Sequence, residues 1–437
     1  MDKVKLQVAL DFVELDRAIE VAKEAVAGGA DYLEAGTPLI KSEGLDCIRK
    51  LRALFPDKTI IADMKTMDAG RIETEAAAKA GANIITVLGS AAKSTILECV
   101  EAGHHYGIKV AVDLLGVEDA NNFAKIAHEL GIAWLNVHCA IDAQMLGKNP
   151  FEQLREIRKL TDLTLSVAGG INSETAADAV NDGADVVIIG GAITKAMDIV
   201  KATKNIKTAI ETRKAVKTEL FKRTTAENLH EGFLKVRTSN ISDGMHRAPC
   251  LKGILPLIKG KNICGPAVTV KTMPGDWAKP VEAIDVAKEG DIIVIDACGL
   301  APAIWGELAT ESAKNKGIAG LIVNGAVRDT ADIRKLDFPV WTKLVTSHAG
   351  DPHGLGEINQ PIKIEGQIIE PGDWIIADDD GVMVVPKARA VEMVNRAADV
   401  LEAENRIRQE IRDNNSTLAK VVNLKRWEKE GAGNVIG

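Results

Sequence analysis

Gly183-Ala184-Asp185-Val186-Val187-Ile188-Ile189-Gly190-Gly191 decides how the first half of this chain is read. A glycine suited to end a helix is followed by a polar residue, a β-branched run and a glycine pair, which is the joint of a repeating βα unit. The joint recurs upstream, where Gly29-Ala30-Asp31 precedes YLEAG and Gly81-Ala82-Asn83 precedes IITVLG. Working outward, short apolar runs separated by amphipathic stretches predict parallel strands near 5–11, 31–35, 58–64, 83–88, 108–114, 133–138, 163–168 and 185–190. Eight such units in roughly 200 residues imply an α/β fold, a closed (β/α)8 barrel. An open doubly wound sheet is the alternative, weakened by the lack of a GxGxxG turn after the first strand.

The pattern changes near residue 212. Trp134 stands alone in the first half, whereas Trp277, Trp305, Trp341, Trp374 and Trp427 fall in the second, among turn-rich strands with Pro274-Gly275 and Pro371-Gly372. The expected organisation is a barrel over 1–212, a basic helical linker over 213–229 and a second α/β domain over 230–437. The tail, 388–430, has helical periodicity.

Composition narrows the function classes. The chain has 437 residues, 46% hydrophobic and 27% charged, with a formal net charge of −8, which argues against a nucleic-acid partner. Lys201 to Arg223 is the exception, with eight Lys/Arg against Glu211 and Glu219, and reads as a solvated connecting helix. No apolar run is long enough to span a bilayer and the start, MDKVKLQVALDF, has no signal-peptide pattern, so a cytoplasmic location is expected. The six cysteines are scattered without zinc-ligand spacing and read as reduced thiols.

In such a barrel the chemistry sits at the C-terminal ends of the strands. Those ends carry Asp11, Glu34, Asp63 with Lys65, Asp113, His138, Gly169-Gly170 and Gly190-Gly191. One acid at a strand end is ordinarily a helix cap; polar residues at this many ends in succession are harder to explain so. Like charges ~4 Å apart repel by roughly 4 kcal/mol at an effective dielectric near 20. With Lys65 as the only permanent cation, either some acids are protonated or a divalent cation sits among them, and a few hard carboxylate ligands suit Mg²⁺. The glycine pairs after strands 7 and 8 stand where barrels bind phosphate, with exposed amides ahead of the expected helices INSETAADAV and AITKAMDIV.

Asp63-Met64-Lys65-Thr66-Met67-Asp68-Ala69-Gly70 reads as a DxKxxDAG motif. With LEAGTPLI at 33–40, TVLG at 86–89, His138 and AGGI at 168–171, the stretch 4–200 resembles the orotidine monophosphate decarboxylase suprafamily, in its 3-hexulose-6-phosphate synthase branch. The 3-keto-L-gulonate 6-phosphate decarboxylase branch usually has Glu, Arg and Thr where this chain has Asp113, Ile141 and Ala168, and Arg in place of Gly191. The resemblance implies a reversible aldol reaction of formaldehyde with D-ribulose 5-phosphate through an enediolate. It implies Mg²⁺, or another divalent cation, held by Glu34 and Asp63, His138 as proton shuttle, Lys65 over the developing oxyanion, and Asp11 and Asp113 on substrate hydroxyls. It further implies a homodimer in which Asp68 reaches the neighbouring subunit's site.

In the second half, Gly306-Glu307-Leu308 lies at a helix start after a Gly/Pro-rich loop, and Asn324-Gly325-Ala326-Val327-Arg328-Asp329 follows an apolar strand. An adjacent Arg and Asp at such a turn can anchor a carboxylate and a metal; equally, Asp329 can cap the helix TADIRKL while Arg328 pairs on the surface. Residues 230–390 resemble the RraA-like family, which includes 4-hydroxy-4-methyl-2-oxoglutarate aldolases. The resemblance implies a layered, swivelling α/β fold in trimers or larger rings, a 2-oxoacid carboxylate on Arg328, Mg²⁺ near Asp329, and the amides of Gly306, Glu307 and Leu308 facing the substrate. A second lyase site and a binding or oligomerising module are both open readings of this domain.

Overall fold

Three joints repeated in the sequence share one backbone geometry in the computed structural model, which describes residues 3–218, 223–413, 415–422 and 424. Gly29, Gly81 and Gly183 have φ of 103°, 101° and 101°, a region L-residues avoid, so each ends a helix and turns the chain into a strand. The polar residue two places on ties the joint to the preceding unit. Asp31 Oδ2 accepts from the Leu6 amide at 2.7 Å, Asn83 Oδ1 from Ile60 at 2.8 Å and Asp185 Oδ2 from Leu165 at 2.9 Å. These side chains satisfy amides at the starts of neighbouring strands, which explains the Gly-Ala-Asp/Asn spacing.

The strands are β1 (Lys5–Leu10), β2 (Tyr32–Ala35), β3 (Thr59–Thr66), β4 (Ile84–Leu88), β5 (Lys109–Asp113), β6 (Trp134–His138), β7 (Thr164–Ala168) and β8 (Val186–Ile189). They pair in parallel and in sequence, and β8 returns to β1, closing the barrel. Expected and observed strands agree to within about two residues. Helices cover the outside through small apolar stripes; Leu15–Ala27 buries Leu15, Ala18, Val21, Ala22 and Ala25 at helical spacing.

Two expectations need correction. The helices after the glycine pairs are shorter than the sequence suggests: the first is Ala176–Asn181, six residues beyond Gly170, and AITKAMDIV divides into Gly191–Thr194 and the start of Ile199–Thr212. The basic linker is also not a helix at its start. Arg213 takes a left-handed conformation (φ 54°) that ends Ile199–Thr212, and the Val216 amide bonds to the Ser173 carbonyl at 2.9 Å instead. Helical turns resume at Ala226–Asn228, and 219–222 lie outside the described residues.

The second compact unit runs Arg223–Glu404 with Met145–Gly147, while the described residues from 405 on group with the first. Its strands are β9 (Leu255–Pro256), β10 (Ile263–Thr272), β11 (Ile292–Asp296), β12 (Ala303–Trp305), β13 (Gly320–Val327), β14 (Val340–Val345), β15 (Gly356–Ile358), β16 (Ile362–Ile364), β17 (Gln367–Ile369), β18 (Trp374–Asp378) and β19 (Gly381–Val385). The main sheet has the order β19-β18-β10-β11-β13-β14-β9, with β10, β11, β13 and β14 parallel. Alternation along these strands makes two cores. Ile293, Ile295, Leu321 and Val323 pack with Ala283, Ala313 and Ile333 of the helices; Ile292, Val294, Ile322 and Trp341 pack with the β16–β17 hairpin. This is the layered α/β arrangement expected. The tail forms the helix Ala390–Asp413 and a turn at Leu418–Val421; Asn414, Asn423 and residues 425–430, with Trp427, lie outside the described residues. Among the described residues no helix is long and apolar enough to cross a membrane.

Candidate active site

The two-residue period of the barrel strands builds the site. One set of side chains faces the helices; the other points inward, where Ile61, Ile84, Ala111, Trp134 and Ile188 form an apolar floor with Tyr32 packed against it. Two residues further toward the C-terminal ends of β2 to β6, the inward side chain becomes polar. Glu34 follows Tyr32, Asp63 follows Ile61, Thr86 follows Ile84, Asp113 follows Ala111 and Asn136 follows Trp134. An apolar plug thus carries a polar layer whose groups are 7% exposed or less, dry enough for charge interactions to be strong.

Asp63 is the centre of this layer. Its carboxylate accepts from Lys65 Nζ at 2.7 and 2.9 Å, from Thr37 Oγ1 at 2.7 Å and from Thr86 Oγ1 at 2.7 Å. Lys65 reaches it from a strained backbone (φ 47°) at an irregularity in the β3–β4 register, the kind of local distortion that re-aims a side chain. Burial alone would lower the Lys65 ammonium, but the charges of Asp63 and Asp113 outweigh it and raise it, so Lys65 stays cationic.

Asp113 ties the other side of the layer together. Its Oδ2 lies 2.9 Å from His138 Nδ1, 3.2 Å from Asn136 Nδ2 and 3.4 Å from Lys65 Nζ, and Oδ1 accepts from the Leu115 amide at 2.9 Å. Burial would push this carboxyl up; the hydrogen bond and charge of His138, with Lys65 and the Leu115 amide, overcome it and hold it below the usual range. An ionised Asp113 can only accept, so His138 presents Nδ1–H to it and keeps Nε2 for the mouth.

Glu34 and Asp11 are held differently. Burial, then the charges of Asp63 and Asp11, push Glu34 well above the ordinary carboxyl range. Asp11 is solvent-exposed at the rim, yet its crowded surroundings and Asp63 push it up as well. A Cβ on Gly36 would stand 2.2 Å from Asp11 Oδ1, and one on Gly190 3.5 Å from Oδ2. The Asp11 carboxylate therefore lies between the ends of β2 and β8, against two glycines.

The acids fit a divalent cation in part. Two carboxylates pushed above their normal range by burial and then by the charge of Asp63 are what a +2 charge relieves. Among the described residues no three His, Cys, Asp or Glu form a ready cage, and Mg²⁺ bound by one or two carboxylates keeps waters for the remainder. Asp63 already accepts four hydrogen bonds, so it joins a cation only by giving one of them up.

At the ends of β7 and β8, Gly169 and Gly170 have φ of 116° and 69°. A side chain on Gly169 would meet the Cys139 carbonyl at 2.6 Å. Gly190 caps the short helix that Gly191 begins, whose first amides have no partner within the helix. Lys195 folds toward Gly191, its Nζ 3.8 Å from where a Cβ would sit. Asp68 is not in the mouth's network. It is exposed and accepts from the Ala69 amide at 2.7 Å.

Sequence reading missed Gln7, Thr37, Thr86, Asn136 and Lys195. Counting back by two from the strand-end polar residues finds Gln7 and Asn136, and Thr86 lies two beyond the floor residue Ile84; Thr37 and Lys195 lie on helical turns that the strand period does not reach.

In the second unit, Gly306 caps the helix Glu307–Asn315 and Asp329 opens Thr330–Leu336 from a left-handed conformation (φ 56°). Asp329 does not cap its own helix through its side chain. Its Oδ2 accepts from the Glu307 amide at 3.2 Å and lies 3.4 Å from Arg328 Nε, and a Cβ on Gly306 would stand 2.5 Å from it. Gly306, Glu307, Arg328 and Asp329 are thus together, while Leu308 is 79% exposed. Asn324 donates to Asp296 Oδ1 at 2.8 Å.

Residues 4–206 match the family described as orotidine 5'-phosphate decarboxylase / HUMPS, and residues 238–384 match the RraA-like family described as Aldolase/RraA. A 3-hexulose-6-phosphate synthase of Mycobacterium gastri is 41% identical over 207 residues, 47% of this chain and 100% of the relative. That of Bacillus subtilis (strain 168) is 38% identical over 208 residues, 47% and 99%. The crystal structure of 3-hexulose-6-phosphate synthase from Salmonella typhimurium is 35% identical, covering 48% of this chain and 99% of that one, with a TM-score of 0.47.

Proposed function

Because the chain belongs, through its barrel, to the orotidine 5'-phosphate decarboxylase / HUMPS family and is an enzyme of carbon–carbon lyase type, we propose that it joins formaldehyde to D-ribulose 5-phosphate, reversibly, giving 3-hexulose 6-phosphate. The observation that carries this reading is the polar layer, in which a buried carboxylate pair, Asp63 and Asp113, shares one lysine beside a histidine.

The residues divide the work by their surroundings. His138, with Nδ1 bonded to Asp113, takes the C1 proton of the ketose at Nε2, since a neutral imidazole suits general-base work near neutral pH. The resulting enediolate is anionic, and Lys65, whose charge is held by Asp63 and Asp113, stands beside it without reorganisation. Asp11, at the rim between Gly36 and Gly190, orients substrate hydroxyls. The amides at Gly169, Gly170, Gly190 and Gly191, with Lys195, receive the phosphate. Glu34 and Asp63 would hold Mg²⁺, which when bound supplies Lewis-acid stabilisation of the enediolate oxygens. C1 of the enediolate then attacks the formaldehyde carbon, the C=O π bond opens onto oxygen, and that alkoxide takes back the proton His138 removed, leaving the imidazole neutral.

For the second unit, Arg328 beside Asp329 at a helix N-terminus is suited to a small 2-oxoacid. Two substrates offered side by side test the barrel. Ribulose 5-phosphate should be consumed only with formaldehyde and Mg²⁺; formaldehyde-independent CO2 release from 3-keto-L-gulonate 6-phosphate would establish the decarboxylase reading in its place.

A further inference from the structure

Gln7 lies on β1 two residues before Ala9, so the strand's alternation points it into the barrel beneath the mouth. It is 2% exposed. Nε2 donates to Glu34 Oε2 at 2.5 Å, whereas its carbonyl oxygen is buried without a partner. An amide here surrenders its hydration on both atoms for one hydrogen bond, and an apolar residue of similar volume would fill the same place without that loss. Packing of the floor therefore does not account for a glutamine. Its one contact does. Among the described residues, Gln7 is the side chain that donates to Glu34, and it engages Oε2 alone. Thr37, Thr86 and Lys65 do for Asp63 what Gln7 does for Glu34: they fix a carboxylate from the protein side.

We propose that Gln7 is a positioning residue whose amide clamps Oε2 of Glu34 from beneath the mouth and so presents the other oxygen, Oε1, to a divalent cation. This rests on the reading of Glu34 as a cation ligand. An outer group that orients a ligating carboxylate sets metal affinity without touching the metal. Its one side-chain hydrogen bond is to Glu34, and none is to the glycines proposed to receive the phosphate.

The test is Mn²⁺ binding to the full chain without substrate, followed by the loss of the free-ion paramagnetic signal, for wild type, Gln7→Met and Gln7→Asn. Gln7→Met keeps the volume and loses the donor; its dissociation constant should rise about 10-fold or more, and Gln7→Asn, whose amide is retained but withdrawn, should fall between. In turnover, kcat at fixed Mn²⁺ should fall while KM for the sugar phosphate stays. A folded Gln7→Met protein that binds Mn²⁺ like wild type overturns the proposal; if that variant does not fold, equal binding by Gln7→Asn does so. Wild-type protein that fixes formaldehyde yet binds no Mn²⁺ overturns the cation reading of Glu34, and this proposal with it.

Discussion

Asp113 Oδ2 stands 2.9 Å from His138 Nδ1, and this pairing fixes which imidazole nitrogen can act on substrate. Asp113 is pulled below the ordinary carboxylate range against its burial, so it accepts a proton-bearing Nδ1 and leaves Nε2 basic. Asp113→Asn removes the charge and offers His138 a donor in its place. We expect kcat to fall by about 100-fold or more with KM for the sugar phosphate little changed, read in steady-state kinetics. Unaltered kcat would separate His138 from the proton transfer.

Glu34 shows the opposite strain. Its folded-state carboxyl is raised above its unfolded value, chiefly by burial and then by Asp63 and Asp11. The folded state therefore holds that proton more tightly than the unfolded chain, and stability is lost as pH rises from the ordinary glutamate range through the raised value. Glu34→Gln should melt at a higher temperature than wild type near pH 8, the two converging near about pH 4, while activity is lost. Divalent cation should raise the melting temperature of wild type at the higher pH and not that of the variant. A lower melting temperature for Glu34→Gln near pH 8 would contradict the account.

Asp68 lies in an exposed loop bonded to its own Ala69 amide. If it acts at the mouth of a neighbouring copy, then Asp68→Ala and His138→Ala chains, each inactive, should complement one another when dissociated and re-formed together. Statistical pairing restores roughly a quarter of the sites. Mixtures that stay inactive would confine Asp68 to its own loop.

The second unit can be tested in the same protein. Arg328 and Asp329 meet at the N-terminus of Glu307–Asn315, so oxaloacetate decarboxylation by the full chain should disappear in Arg328→Ala while formaldehyde fixation continues at the wild-type rate. Failure of the wild type to turn over 2-oxoacids would leave a binding or oligomerising module.

The barrel was legible because its joints repeat. Gly29, Gly81 and Gly183 need the same positive φ, and the Asp or Asn two residues on makes the same bond in each, so physics and spacing coincide. The strand-end acids were legible for the same reason. The polar partners that hold them were not. Thr37 belongs to a helix and Gln7 sits one layer below the mouth; Lys65 was legible as the cation, but not the strained bulge through which it reaches Asp63. Helices after β7 and β8 were overestimated because AITKAMDIV holds no glycine or proline to announce a stop, whereas the chain breaks at Lys195–Asp198. In the second unit, the turn of Asp329 toward Glu307 depends on a left-handed backbone that its sequence does not advertise.

The most direct test joins two labels. [13C]Formaldehyde and [1-13C]ribulose 5-phosphate, mixed with the protein and Mg²⁺, should give a sugar phosphate whose NMR spectrum contains a new one-bond 13C–13C coupling. That coupling should vanish with chelator and fall by about 100-fold in rate in Asp63→Ala. Formaldehyde left untouched, or coupling that forms undiminished in Asp63→Ala, would contradict an aldol centre built on this polar layer.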